Sequence, residues 1–174
     1  LDNLTISVSD ANTLTGSIKY TGDSETASLT FDANLERANS ASLTLSTESQ
    51  EIGVINGFNT VTVNAPLVTN VTEWNDDVKN ATIKVQSYDI SVGGVMVTSA
   101  NAANITGNYI TGTVTFDAEN NTLTLNNATI DLSSFEGPGI KYTGTENFTI
   151  KLIGTNSIKV RYNCEPIIYD PVVA

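Results

Sequence analysis

The chain has 174 residues, enough for one large or two small domains with real cores. Its 19 Asp plus Glu outnumber 8 Lys plus Arg for a net charge of −11, so nucleic acid and anionic membrane surfaces are excluded as partners by repulsion. Hydrophobic residues make up 40% and charged residues 16%, with Thr, Asn and Ser filling the difference, which excludes a disordered chain and a helical protein and points to an all-β fold.

In chain order, Leu4 to Val8 alternates apolar and polar residues until Ser9-Asp10-Ala11-Asn12 interrupts it. Further alternating runs follow at Leu14–Tyr20, Ala27–Phe31, Leu43–Leu45, Val61–Val63 and Ile83–Val85. Short strands at this spacing, separated by Gly, Asn, Asp and Ser, predict an immunoglobulin-like β-sandwich over residues 1–86, without the Cys and Trp landmarks of true immunoglobulin domains. A second domain is expected over 87–174, beginning where Tyr88 opens a new strand.

Gly93-Gly94 predicts a tight hairpin between Ile90–Val92 and Val95–Val97, because paired glycines accept the positive φ such turns demand. Thr98–Thr106 has room for a turn of helix. Asp117–Asn120 predicts a second hairpin, and the strand leaving it starts a repeat. Leu123-Thr-Leu125 returns as Ile150-Lys-Leu152, and Gly139-Ile-Lys-Tyr142 as Pro166-Ile-Ile-Tyr169; both pairs are 27 positions apart. A fixed period in this range is the signature of a solenoid, whose coils bury their apolar faces against each other. Leu29-Thr-Phe31-Asp-Ala33 echoes Val114-Thr-Phe116-Asp-Ala118, read as hairpin chemistry that arose twice.

The wording of Tyr88–Asn101, Gly112–Asp117, Asn121–Ile130 and Phe148–Ile158 resembles the N-terminal module of secreted gut-bacterial right-handed β-helix surface proteins, over about residues 88–170. The resemblance implies that hairpins lead into the first coils of a parallel β-helix, in proteins often labelled carbohydrate-binding. It supplies no catalytic residues. Such proteins usually continue into more coils, and a solenoid normally needs about three; either the sandwich caps the two found here or the chain is a fragment. Leu1 in place of an initiator Met suggests a chain from which a signal segment was removed.

The chain has no His, which excludes Ser-His-Asp and Cys-His nucleophilic schemes. Its single Cys164 permits no intrachain disulfide and reads as a small, half-buried structural residue. Asp117, Glu119, Asp131 and Glu136 are the candidates on or near the repeat for the carboxylate pair that glycoside hydrolysis needs. Lys141, Lys159 and Arg161 read as outward charges on strands rather than as lyase bases. Calcium is the cofactor to consider, at Asp76-Asp77 beside Asn75 or at Asp117 and Glu119 beside Asn120, although neither group has EF-hand spacing.

Sugar binding uses aromatic platforms with amides and carboxylates. Trp74 beside Asp76 and Asp77 is one such group; Tyr142 and Tyr169, expected to stack one coil apart, are another, and both also suit packing. The Asn-x-Thr sequences at Asn3, Asn70, Asn80, Asn104, Asn120, Asn127 and Asn147 read as turn and ladder residues. These features lead to the expectation of a secreted, non-catalytic bacterial surface protein with a binding or display role, its partner a glycan or another surface protein. The alternatives are an accessory part of a polysaccharide-active β-helix enzyme and a structural stalk or adhesin subunit.

Overall fold

The computed structural model describes residues 2–34 and 40–171; Leu1, residues 35–39 and residues 172–174, and with them the expectations placed on Leu1 and the final residues, lie outside the described residues. The fold is all-β, with the strands arranged as a β-solenoid. Its internal contacts divide the chain into Leu1–Gln86 and Ser87–Ala174.

The first unit does not form the expected immunoglobulin-like sandwich. Strands β1 (Asn3–Val8), β4 (Ser28–Ala33) and β7 (Thr60–Val63) pair in parallel, as do β2 (Ala11–Thr15) with β5 (Ser42–Ser46) and β3 (Ile18–Lys19) with β6 (Ile55–Asn56). Sandwich strands run antiparallel to their sheet neighbours, whereas here each pairs with the strand one coil later. Among the described residues of this unit, the antiparallel pairs are those that β9 (Asn80–Val85) makes with β5 and with β8 (Leu67–Thr69). Period-two alternation fits either architecture, because it specifies which face is buried and not which strand lies alongside.

Corners account for two further departures. The run Leu14–Tyr20 is two strands, broken at Gly16, whose φ of +112° suits glycine. The Leu29–Ala33 segment is not a hairpin arm: β4 has parallel partners on both sides. Leu29, Phe31, Leu43, Leu45, Val54 and Ile83 form the heart of this unit's buried core.

In the second unit, β10 (Ser87–Val92) and β11 (Val95–Thr98) form the expected hairpin, with Gly93 and Gly94 both at positive φ. The Thr98 carbonyl accepts from the N–H groups of Asn101 and Ala102, giving one helical turn. Strands β12 (Ile110–Asp117) and β13 (Thr122–Leu132) form the second hairpin. Strand β14 (Ile140–Tyr142) then runs antiparallel to β10.

The repeat follows in the expected register. Strand β15 (Thr149–Ile153) pairs in parallel with β13, setting Leu123 beside Ile150 and Leu125 beside Leu152. Strand β17 (Ile167–Tyr169) pairs in parallel with β14, setting Tyr142 beside Tyr169. Strand β16 (Ser157–Val160) pairs with the far half of β13, but Ile130 meets Ile158, an offset one residue longer. The extra residue is absorbed at a corner where Asn127 and Gly154 both have positive φ. There Asn127 Oδ1 accepts from Thr155 N and Asn156 Oδ1 from Ala128 N, so two amide side chains replace the interrupted ladder.

Equivalent positions in successive coils differ in burial. Leu125 is 1% exposed and Leu152 63%, because Leu125 has a strand on each side, the hairpin arm β12 and the next coil's β15. Leu125→Ala is expected to cost about 3 kcal/mol through the cavity it leaves, and Leu152→Ala in dilute solution less than about 0.5 kcal/mol. Urea unfolding midpoints of the two variants check this difference.

Candidate functional site

The three groups of sequence-predicted site residues sit at corners or on the ring stack. Trp74 lies on the loop between β8 and β9, which returns over the core of the first unit. Its ring is half-buried and stacks on Phe31, with centroids 6.5 Å apart and planes at 26°. The adjacent acids point to different partners. Asp76 Oδ1 accepts from Asn56 Nδ2 at 2.8 Å and Gly53 N at 3.2 Å, tying the loop to β6. Asp77 lines a shallow polar cleft of about 390 Å³ with Glu73 and Lys79, while Lys79 Nζ donates to the Ile52 carbonyl at 2.9 Å. Trp74 and Asp76 do not line that cleft, so the three residues do not converge.

Tyr142 is a core residue. Its ring stacks on Phe148 at 4.4 Å and on Tyr169 at 5.8 Å; its hydroxyl accepts from Asn121 Nδ2 at 2.6 Å and donates to the Glu146 carbonyl at 3.2 Å. Tyr169 caps this stack and is exposed. Of the predicted aromatic pair, only Tyr169 offers a ring face to solvent.

Asp117 spends its oxygens inside its own turn. Oδ1 accepts from Glu119 N and Asn120 N, and Oδ2 from Asn120 Nδ2 at 2.7 Å. Glu119 is exposed on the same turn. Asp131 accepts from the Ser133 hydroxyl and N–H and lies 3.6 Å from Lys159 Nζ. Glu136 and Arg161 are exposed, and Cys164 is half-buried with a free thiol. Among the described residues no group of three or more His, Cys, Asp or Glu has a geometry that would hold a metal ion. No helix among them is long and apolar enough to cross a membrane.

Three of these carboxylates share one electrostatic character. Asp76 is held below the ordinary 3.8 chiefly by its bond from Asn56, then Gly53; Asp117 chiefly by the Asn120 side chain and N–H; Asp131 chiefly by Ser133, with Lys159 adding attraction. Hydrogen bonds to the ionised form stabilise it. All three are therefore fixed anions at neutral pH.

A cleft that the sequence did not reveal lies on the outer face of β10 and β14. It has a volume of about 290 Å³ and is lined by Tyr88, Asp89, Ser91, Met96, Lys141 and Thr143 among others. Antiparallel pairing sets Ser91 against Lys141, fifty positions apart in the chain. Period two marks Asp89 and Ser91 as outward on β10; the partner strand is what no local pattern announces. The floor is pleated sheet, the walls carry both signs of charge, and Met96 is an exposed apolar surface. No protein-family profile, curated protein or solved structure matches the chain.

Each of these depressed carboxylates stabilises the fold above its unfolded value, and that stabilisation is lost as pH falls through the lower folded value. The melting temperature is expected to decline below pH 3.8, and Asp76→Asn/Asp117→Asn/Asp131→Asn to decline less steeply there. Thermal melts between neutral and strongly acidic pH provide the check.

Proposed function

We propose that the chain is a non-catalytic, secreted bacterial surface protein that binds or displays, with glycan as its ligand class. The observation that carries the non-catalytic reading is that two of the four candidate carboxylates are spent in their own turns: Asp117 accepts from Glu119 N, Asn120 N and the Asn120 side chain, and Asp131 from the Ser133 hydroxyl and N–H, whereas a glycosidase needs two carboxyls converging on one bond. The resemblance of residues 88–170 to secreted gut-bacterial β-helix proteins supports the compartment and the ligand class.

The cleft on β10 and β14 is the binding surface this reading favours. Asp89 accepts from sugar hydroxyls, Lys141 and Ser91 donate, and Met96 receives the apolar face of a ring. Its 290 Å³ lies near the lower end of the roughly 300–1,000 Å³ typical of small-molecule sites, which suits a short or terminal sugar unit. Lys141 also lies in the repeat, so the ligand would rest on a rigid ladder rather than a loop.

A broad glycan array, run with calcium and with chelator, tests this proposal. The expected result is binding that survives chelation, is lost in Asp89→Ala and Lys141→Ala, and is accompanied by no release of reducing ends. Release of reducing ends would move the protein to the enzyme reading. Silence across the array would leave display without glycan recognition.

A further inference from the structure

Two charges of opposite sign stand unpaired in the cleft on β10 and β14. The Asp89 carboxylate and the Lys141 ammonium form no ion pair with each other and have no side-chain hydrogen bond among the described residues. Asp131 and Lys159, by contrast, sit 3.6 Å apart, and Lys79 donates to the Ile52 carbonyl. An unpaired charge on an open surface is ordinary. Here an acid and a base share one hollow and leave each other free.

Strand pairing sets their spacing. Ile90 faces Tyr142 and Ser91 faces Lys141, and Thr143 N donates to the Asp89 carbonyl at 2.8 Å. Asp89 and Lys141 are therefore diagonal neighbours on adjacent strands, about 7–8 Å apart at Cα. Because Ile90, Val92, Ile140 and Tyr142 are buried, period two turns Asp89, Ser91 and Lys141 out to one side. Tyr88, next to Asp89, is pinned by its ring against Phe116 at 5.2 Å.

We propose that the ligand of this cleft is a zwitterionic saccharide, its ammonium group received by Asp89 and its carboxylate by Lys141. The inference rests on the glycan reading of the same cleft and names the class of glycan. Charge complementarity selects it. A neutral sugar displaces water from both ions and returns only hydroxyls, whereas hydrogen bonds between ionised groups are about twice as strong as neutral ones. A sugar with the carboxylate alone satisfies Lys141 but sets a like charge against Asp89, and one with the amine alone does the reverse. The lining holds one acid and one base, so a ligand with one charge of each sign leaves neither unmatched. A polyanionic glycan is further repelled by the chain's net charge of −11, which a ligand of no net charge escapes.

The test is calorimetric titration at neutral pH and low salt with four forms of one disaccharide, glucuronic acid linked to glucosamine: unmodified, N-acetylated, carboxyl-reduced, and both. The unmodified form is expected to bind tightest. Acetylation and reduction are each expected to weaken it about five-fold, as an exposed ion pair at the strong end of its range contributes, and added salt to narrow the differences. Asp89→Asn is expected to abolish the effect of acetylation alone, and Lys141→Met that of reduction alone. Both side chains are without partners, so circular dichroism is expected to be unchanged; the four ligand forms read the same contacts on the unaltered chain. Neutral and zwitterionic forms that bind equally would overturn this inference and leave glycan binding standing, as would an acetylation effect that survives in Asp89→Asn. Failure of all four forms, in a chain that binds other members of a glycan array, would overturn it too; silence on the whole array would remove the glycan reading with it.

Discussion

Parallel stacking of one coil on the next is the constraint on which this molecule rests. In a β-solenoid the backbone N–H and C=O groups point towards the neighbouring coils, and an inward apolar side chain is shielded from water by the side chains above and below it. Leu123, Leu125, Ile130 and Ile140 are buried because Ile150, Leu152, Ile158 and Ile167 lie over them in register. A slip of one residue would turn every inward side chain outward, so the register has to be held at the corners.

The corners show how it is held. Positive φ at Asp10, Gly16 and Gly154 bends the chain between strands, and at Asn127 within β13, and amide and carboxylate side chains replace the ladder bonds lost at the bend. Asn127 and Asn156 accept from N–H groups of facing coils; Asn70 Oδ1 accepts from Thr82 N; Asp76 accepts from Gly53 N. At Asn70, Asn120 and Asn127, residues of the Asn-x-Thr pattern serve as turn and corner residues. The same logic applies to two of the acids: Asp117 and Asp131 satisfy the N–H groups of their own turns.

Function in such an architecture falls to the outer faces. Outward positions of adjacent strands form flat rows, and hollows arise where strand direction changes, as where β14 meets β10. Such hollows are shallow, because the sheet beneath is continuous, and the one on β10 and β14 presents hydroxyls and charges of both signs. Most of the polar groups there are held by strands rather than by loops.

The all-β class, the two hairpins and the 27-residue register of β15 on β13 and β17 on β14 were legible from the residues alone, because each is a local or strictly periodic signal. Gly93-Gly94 and Asp117–Asn120 mark turns by backbone chemistry, and equal loop lengths keep Leu125 and Tyr142 a constant 27 residues from their partners. The first unit is also coiled, but its offsets vary: Asn3 pairs with Ser28, Ala11 with Ser42 and Ile18 with Ile55, since loops of different length separate the strands. Without a common period, alternation alone suggested a sandwich. Only the tertiary structure could decide that Trp74 lies on Phe31, that Lys141 faces Ser91, and that Tyr142 is buried while Tyr169 in the equivalent position is exposed. Burial here depends on whether another coil lies above, and that is set by long-range pairing, which no residue's immediate sequence neighbours encode.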